Sequence, residues 1–240
     1  MGISLLEFSF LRLASEKGLL PQSTDILEFG EAELCNLDIN LLLNDPLFAD
    51  RRDSCIHDAN NPPSSYLNLP SFHYAKLLYR LLFNYRSCFT VDFGGSSLAV
   101  KADLNNKVDL GRQFGLVINN GTSEHIFNQY QFYKTVHDHT EASGTMIHWT
   151  PAYGWPNHGF YNAQPTLICD LAFANGYEIL LMCLASSNKM VLLDGNYMVN
   201  ALSEFPELHN SLLCTVLRKT NNDTFRTPQQ GTYRHQIQPN

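Results

Sequence analysis

Glu124 and His125 stand where a short apolar run, residues 114–118, gives way to a polar turn containing Asn119, Asn120 and Gly121 and then to a helical pattern. In an open α/β sheet, ligands occupy the crevice beyond the carboxyl ends of the strands, so a strand that empties into Asn, Gly, Glu and His is building a site. A second concentration lies at 148–162, where both tryptophans of the chain, Trp149 and Trp155, fall with Tyr153, Phe160, Tyr161, His148, His158 and two prolines. Large side chains broken up by turn residues make neither an ordinary helix nor a strand. They could wall a pocket that excludes water and stacks on a flat ligand; the plainer reading is a rigid loop over the open end of a sheet. His158, His125 and His148, in that order, are the candidate proton acceptors, and each is equally a candidate to orient a ligand.

The elements that must position these groups follow from periodicity and breakers. Strand signals occupy 25–30, 88–92, 98–105, 114–118 and 144–149, with two more at 177–185 and 212–217. Helical patterns cover 71–84, where Phe72, Ala75, Leu78, Tyr79 and Leu82 share one face, then 129–141, and 165–175, closed by Gly176. Residues 35–70, rich in Asn, Asp, Pro and Ser, read as a long loop or lid inserted before the helix at 71–84. Residues 221–240 read as a disordered polar tail on a single domain of residues 1–220. His137 and His139 stand two apart on a helix, on different sides, so they read as solvated surface and the chain offers no metal pair.

The order of these strand ends resembles class I S-adenosylmethionine-dependent methyltransferases over roughly residues 24–185. Glu28, Phe29 and Gly30 match the acid, spacer and glycine of the family's first strand and turn, Asp92 the acid ending the second strand, and Asp103 the acid after the third. Glu124-His125 matches a Glu-His pair that many members carry after the fourth, and 158–161 a His-Gly-Phe-Tyr segment of some bacterial members acting on small molecules or sugars. The resemblance implies a Rossmann-like, doubly wound, seven-stranded, mostly parallel α/β sheet with an antiparallel edge strand. It implies S-adenosylmethionine as cofactor, held by Glu28, Gly30, Asp92, Asp103, Leu104, Asn119 and Asn120. A small-molecule or sugar acceptor would lie against Trp149, Tyr153, Trp155 and Tyr161, with His158, His125 or His148 as base and no metal.

Physical chemistry supports that ligand class independently. A dinucleotide brings a pyrophosphate, which calls for a glycine-rich loop at a helix N-terminus. Here Gly30 is followed by Glu31, Ala32 and Glu33, whose carboxylates repel phosphate and tolerate a cationic ligand without phosphates. Two other classes stay open: a methyltransferase-like fold reduced to a binding or scaffold subunit, for which the single glycine of the first turn speaks, and a dinucleotide-dependent oxidoreductase.

Composition fits one domain of 240 residues, 44% hydrophobic. Sixteen basic residues against 23 acidic ones, a formal net charge of -7, provide no basic stripe for nucleic acid. The N-terminal segment, with Glu7, Arg12 and Glu16, reads as an amphipathic helix and not a leader, and no apolar run is long enough to span a bilayer. Six cysteines without a CxxC pair read as reduced thiols of a cytoplasmic protein. The expected partners are a small-molecule acceptor and at most a second copy in a homodimer, with no nucleic acid and no membrane.

Overall fold

A computed structural model describes residues 2–187, 189–193 and 209–236. The main sheet takes its strands from β2 (Asp25–Phe29), β4 (Ser87–Val91), β5 (Phe114–Asn120), β6 (Thr140–Tyr153), β7 (Tyr177–Ala185), β8 (Met190–Leu192) and β9 (Ser211–Lys219), in the spatial order β4-β2-β5-β6-β9-β7-β8. The first four pair in parallel; β9 runs antiparallel to both β6 and β7, and β8 antiparallel to β7. A two-stranded ribbon, β1 (Gly2–Ile3) with β3 (Glu33–Leu34), stands beside it.

Side chains alternate across a strand, so each strand feeds two cores. Ile26, Leu116, Ile118 and Ile147 face one side, packed under α1 (Leu5–Glu16) and α4 (Pro70–Phe83); Leu27, Phe29, Val117 and Met146 face the other, under α5 (Gln129–His139) and α6 (Pro165–Asn175). All seven residues of β5 are buried, as a central strand covered on both faces requires. The caps are those the sequence offers. Ser4 and Glu7 close a capping box on α1, Pro70 and Pro165 occupy first turns, and Asn84 and Gly176 end α4 and α6 in the left-handed conformation. The fold is therefore the doubly wound, mostly parallel α/β sheet that the sequence implies.

Several elements differ from expectation. The strand signal at 98–105 yields only a bridge between Val100 and Val91, because Asp103 turns the chain by accepting the Asn105 N–H (2.9 Å). The late strand expected at the sheet edge is β9, which lies inside the sheet; β8 forms the antiparallel edge. Residues 35–70 are not a loop. They hold α2 (Ile39–Leu43) and α3 (Arg52–Asn60), and they bury Leu42, Leu43, Phe48 and Cys55 against α1 and α4. Their apolar residues are too few for periodicity to show, yet each one is used.

His137 and His139 are buried, not solvated, because the last turn of α5 is wedged between the start of β6 and the C-terminal segment. His137 Nε2 donates to the Asp223 carbonyl and Nδ1 accepts from the Tyr177 hydroxyl (both 2.7 Å); His139 Nδ1 donates to the Thr135 carbonyl (2.8 Å) and Nε2 accepts the Leu110 N–H (3.1 Å). The segment read as a disordered tail is docked over 221–233. Phe225 enters the core against His137 and Tyr130, and the Arg226 N–H bonds Asn175 Oδ1 at 2.7 Å. The last four residues of that tail lie outside the described residues.

Candidate functional site

The carboxyl ends of β2, β4 and β5 open into a cleft of about 600 Å³. Gly30, Asp92, Asp103, Leu104 and His125 line it, together with Glu31, Glu33, Gly94 and Gly95; among the described residues the lining holds no Lys or Arg. Gly30 is irreplaceable on two counts. Its φ is +81°, and a Cβ there would lie 2.0 Å from Thr122 Oγ1 and 3.1 Å from the Asn120 carbonyl, so the turns after β2 and β5 meet only over a hydrogen atom. The glycines missing from the first turn reappear after β4. Asp92 Oδ2 accepts the Glu31 N–H (2.6 Å), and Oδ1 accepts those of Gly94 (2.7 Å) and Gly95 (2.9 Å). Gly95 also has no room for a Cβ, which would fall 2.7 Å from Glu31 Oε2 and 2.9 Å from Asp92 Cβ. Asp103 is held below the usual carboxylate range by the backbone N–H and then the side chain of Asn105.

Three candidate cofactor residues do not reach this cleft. Glu28 shares the face of Ile26, two residues before it, and so points at α4, where its carboxylate pairs with Lys76 and accepts the Thr90 hydroxyl at 2.7 Å. Asn119 builds the turn itself. Its Oδ1 accepts the N–H groups of Thr122 (3.2 Å) and Ser123 (3.1 Å), while Nδ2 donates to Ser123 Oγ (2.9 Å) and His148 Nδ1 (3.2 Å). Asn120 Oδ1 accepts the indole N–H of Trp149 (2.8 Å), buried in the sheet. His148 is likewise internal to β6, stacked near Tyr133, and burial pushes its pKa down to about 4.

The other two histidines converge. His125 and His158 have ring centroids 5.1 Å apart, and their Nε2 atoms lie 3.9 and 3.6 Å from Glu124 Oε1. Glu124 is 3% exposed, and neither carboxylate oxygen has a hydrogen-bond partner. Desolvation raises its pKa to about 7, and desolvation followed by the nearby His158 lowers that of His125. Residues 33 positions apart in sequence are joined by backbone. The Glu124 carbonyl accepts the N–H groups of Phe160 (2.8 Å) and Tyr161 (3.3 Å), and a Cβ on Gly159 would lie 2.8 Å from that same oxygen. Trp155 and Asn157, just before, hold positive φ values of 59° and 60°, strain that the surrounding structure imposes.

Glu124 stands between two further cavities. One, of about 280 Å³, is mostly apolar and walled by Tyr130, Tyr133, Tyr161, Leu171 and Phe225; the other, of about 180 Å³, is bounded by Trp149, Trp155 and His158. Of the four aromatic candidates, Tyr161 faces the larger cavity and the two tryptophans the smaller, while Tyr153 packs against His209 and lines none of the three. Glu31, expected only as a carboxylate that repels phosphate, lines the cleft, while Tyr133 and Phe225 carry no signal in the sequence that marks them for the cavity. The pair Gly94-Gly95, one residue beyond Asp92, is a legible signal for the second turn.

No family model matches the sequence, and no curated protein matches it. Solved structures do match. The N-methyltransferase NodS from Bradyrhizobium japonicum WM9, in complex with S-adenosyl-L-homocysteine, is 11% identical with a TM-score of 0.49, over 91% of this chain and 89% of that one. A putative methyltransferase from Haloferax volcanii, in complex with the activator Trm112, is 10% identical with a TM-score of 0.47, over 88% of each chain. A putative methyltransferase from Bacillus halodurans C-125 is 9% identical with a TM-score of 0.45, over 89% of this chain and 100% of that one. Strand order, strand direction and the cleft at the carboxyl ends of β2, β4 and β5 define a Rossmann-like, doubly wound α/β fold. No helix among the described residues is long and apolar enough to cross a membrane.

Proposed function

We propose that the protein is an S-adenosylmethionine-dependent methyltransferase acting on a small-molecule acceptor. One observation carries the reading: His125 lines the 600 Å³ cleft, its neighbour Glu124 lines both the 280 and 180 Å³ cavities, and His158 lines the latter. Donor-side and acceptor-side spaces thus meet at one cluster, which is the arrangement that bringing two reactants together needs.

The cleft fits this cofactor by its charge and shape. Glu31, Glu33, Asp92 and Asp103 favour a ligand bearing ammonium and sulfonium charge and disfavour phosphate. Asp92 spends three acceptor positions on N–H groups, and a carboxylate offers about four, so it retains capacity for one ribose hydroxyl. When bound, S-adenosylmethionine supplies a methyl group whose bond to sulfur breaks, the electron pair returning to sulfur, as an acceptor lone pair forms the new bond. The chain's own residues orient the acceptor. Tyr130, Tyr133, Tyr161 and Phe225 hold its apolar part and exclude water, while His125 and His158 face its nucleophilic atom. A non-catalytic binding subunit is the second reading, favoured by the single glycine after β2.

Calorimetry with S-adenosylhomocysteine, S-adenosylmethionine and NAD tests the proposal. One-site binding of the first two is expected, and Asp92→Ala is expected to weaken it tenfold or more, since a charge-assisted hydrogen bond contributes about 1.5–3 kcal/mol. Binding of NAD alone, or of none of the three, refutes it.

A further inference from the structure

The cluster of Glu124, His125 and His158 has no explanation as a hydrogen-bonded core, and its composition points elsewhere. We infer that Glu124, His125 and His158 form a binding site for one divalent transition-metal ion, with coordination positions left open towards the acceptor cavities.

Geometry supports this first. Two ligand atoms on one ion at about 2.1 Å each can be no more than about 4.2 Å apart. The two Glu124–histidine separations, 3.6 and 3.9 Å, fall inside that limit, and all three ligand atoms lie within 4.8 Å of one another. Rotation of the half-exposed imidazoles towards each other brings the third separation inside the same limit.

The second support is independent of spacing. A carboxylate buried to 3% exposure with both oxygens unpaired is costly unless something occupies the space in front of it. Neutral imidazoles at 3.6 and 3.9 Å are beyond hydrogen-bond reach of it. A cation satisfies the carboxylate and takes up the imidazole lone pairs. The third support is the fastening of the two loops. The Glu124 carbonyl bonds Phe160 and Tyr161, and Gly159 packs on it without room for a Cβ, so His158 is carried to Glu124 by backbone contacts and not by chance side-chain placement.

Two imidazoles and one carboxylate suit zinc, iron, cobalt or manganese; magnesium and calcium prefer all-oxygen shells. Three protein ligands leave room for exogenous oxygen. The site therefore suits an acceptor that presents a hydroxyl, whose proton the ion would make easier to lose. Metal binding itself does not rest on the methyl-transfer reading; only this last step does.

Chelator-stripped protein titrated with Zn²⁺ by calorimetry, and with Co²⁺ by visible absorption, tests the site. One equivalent is expected to bind, with a Co²⁺ d–d spectrum of mixed nitrogen and oxygen ligation. Glu124→Gln and His158→Ala, checked for parental circular dichroism and melting, are each expected to weaken binding on the order of 100-fold. Should Glu124→Gln fail to fold, His125→Ala, whose ring is half-exposed, carries the same expectation. No one-site binding in the parent, or binding unchanged in these variants, overturns the inference. S-adenosylhomocysteine binding in stripped protein that takes up no Zn²⁺ would sink the metal site and spare the methyl-transfer reading; Zn²⁺ binding without S-adenosylhomocysteine binding would do the reverse.

Discussion

Glu28 matches a cofactor residue by sequence, yet the structure makes it half of a buried ion pair, and the two roles predict opposite outcomes on mutation. Its side chain is 0% exposed and that of Lys76 is 8%. Thr90 adds a 2.7 Å hydrogen bond to Glu28 Oε1, while Oε2 has no partner. Burial lowers the Lys76 pKa, with the nearby Cys88 opposing the shift. Lys76→Met removes the only cation at this carboxylate among the described residues, and breaking such a pair costs about 3–5 kcal/mol. With a urea m-value of about 3 kcal/mol/M for a chain of this size, the unfolding midpoint should fall by about 1–1.7 M. Glu28→Leu combined with Lys76→Met should recover to within about 1 kcal/mol of the parent, because an apolar pair fills the volume with no charge to desolvate. Chemical denaturation followed by tryptophan fluorescence measures both. The reasoning fails if Lys76→Met unfolds at the parental midpoint, or if the double variant loses as much as the single. A tenfold loss of S-adenosylhomocysteine affinity in a stably folded double variant would return Glu28 to the cofactor set.

Two further expectations follow from buried groups. His148, with its folded pKa near 4 against 6.5 when free, stays neutral in the sheet. Its contribution is complete above about pH 6.5 and is lost as pH falls through 4, because the unfolded chain takes up the proton first; the full effect is roughly 3 kcal/mol. His148→Gln keeps an acceptor for Asn119 and does not titrate, so its stability should fall less between pH 7 and pH 4.5 than the parent's, and parallel profiles would contradict the assignment. Phe225→Ala should release the docked C-terminal segment, since deleting a buried phenyl costs about 3–5 kcal/mol. Trypsin should then cut after Arg226 at least tenfold faster than in the parent, and equal rates would show that 221–233 is not held down.

The sheet was legible because its strands carry their own evidence. A run such as 114–118, apolar at every position but glycine and ending in a polar turn, reads as a short strand, and Gly176 marks the end of α6. What failed were inferences from sparse patterns. Residues 35–70 show little periodicity because α2 and α3 each bury only one or two side chains, and the C-terminal segment is anchored chiefly by one phenylalanine and a few backbone bonds. His137 and His139 were misjudged for a related reason: opposite sides of a helix are not both solvated when its last turn is enclosed by a strand and a returning chain.

The site divides along the same line. Gly30, Asp92, Asp103 and His125 could be placed on the cleft because strand ends are local features, fixed by the residue at which a strand stops. Glu28 could not, although parity was available: two residues from Ile26 on one strand, it must share the face that packs on α4. The cluster at Glu124 was beyond sequence reasoning altogether. His125 and His158 were each visible as candidates, but their meeting depends on the chain after β6 folding back until Gly159 touches the Glu124 carbonyl, a contact between positions 35 apart that no motif encodes. Nor does a sequence show that a carboxylate has been buried without a partner. That single partnerless group is what turns two candidate bases into candidate ligands: a base needs only an imidazole near the reacting atom, whereas a buried glutamate aimed between two imidazoles presents three donor atoms to one cation.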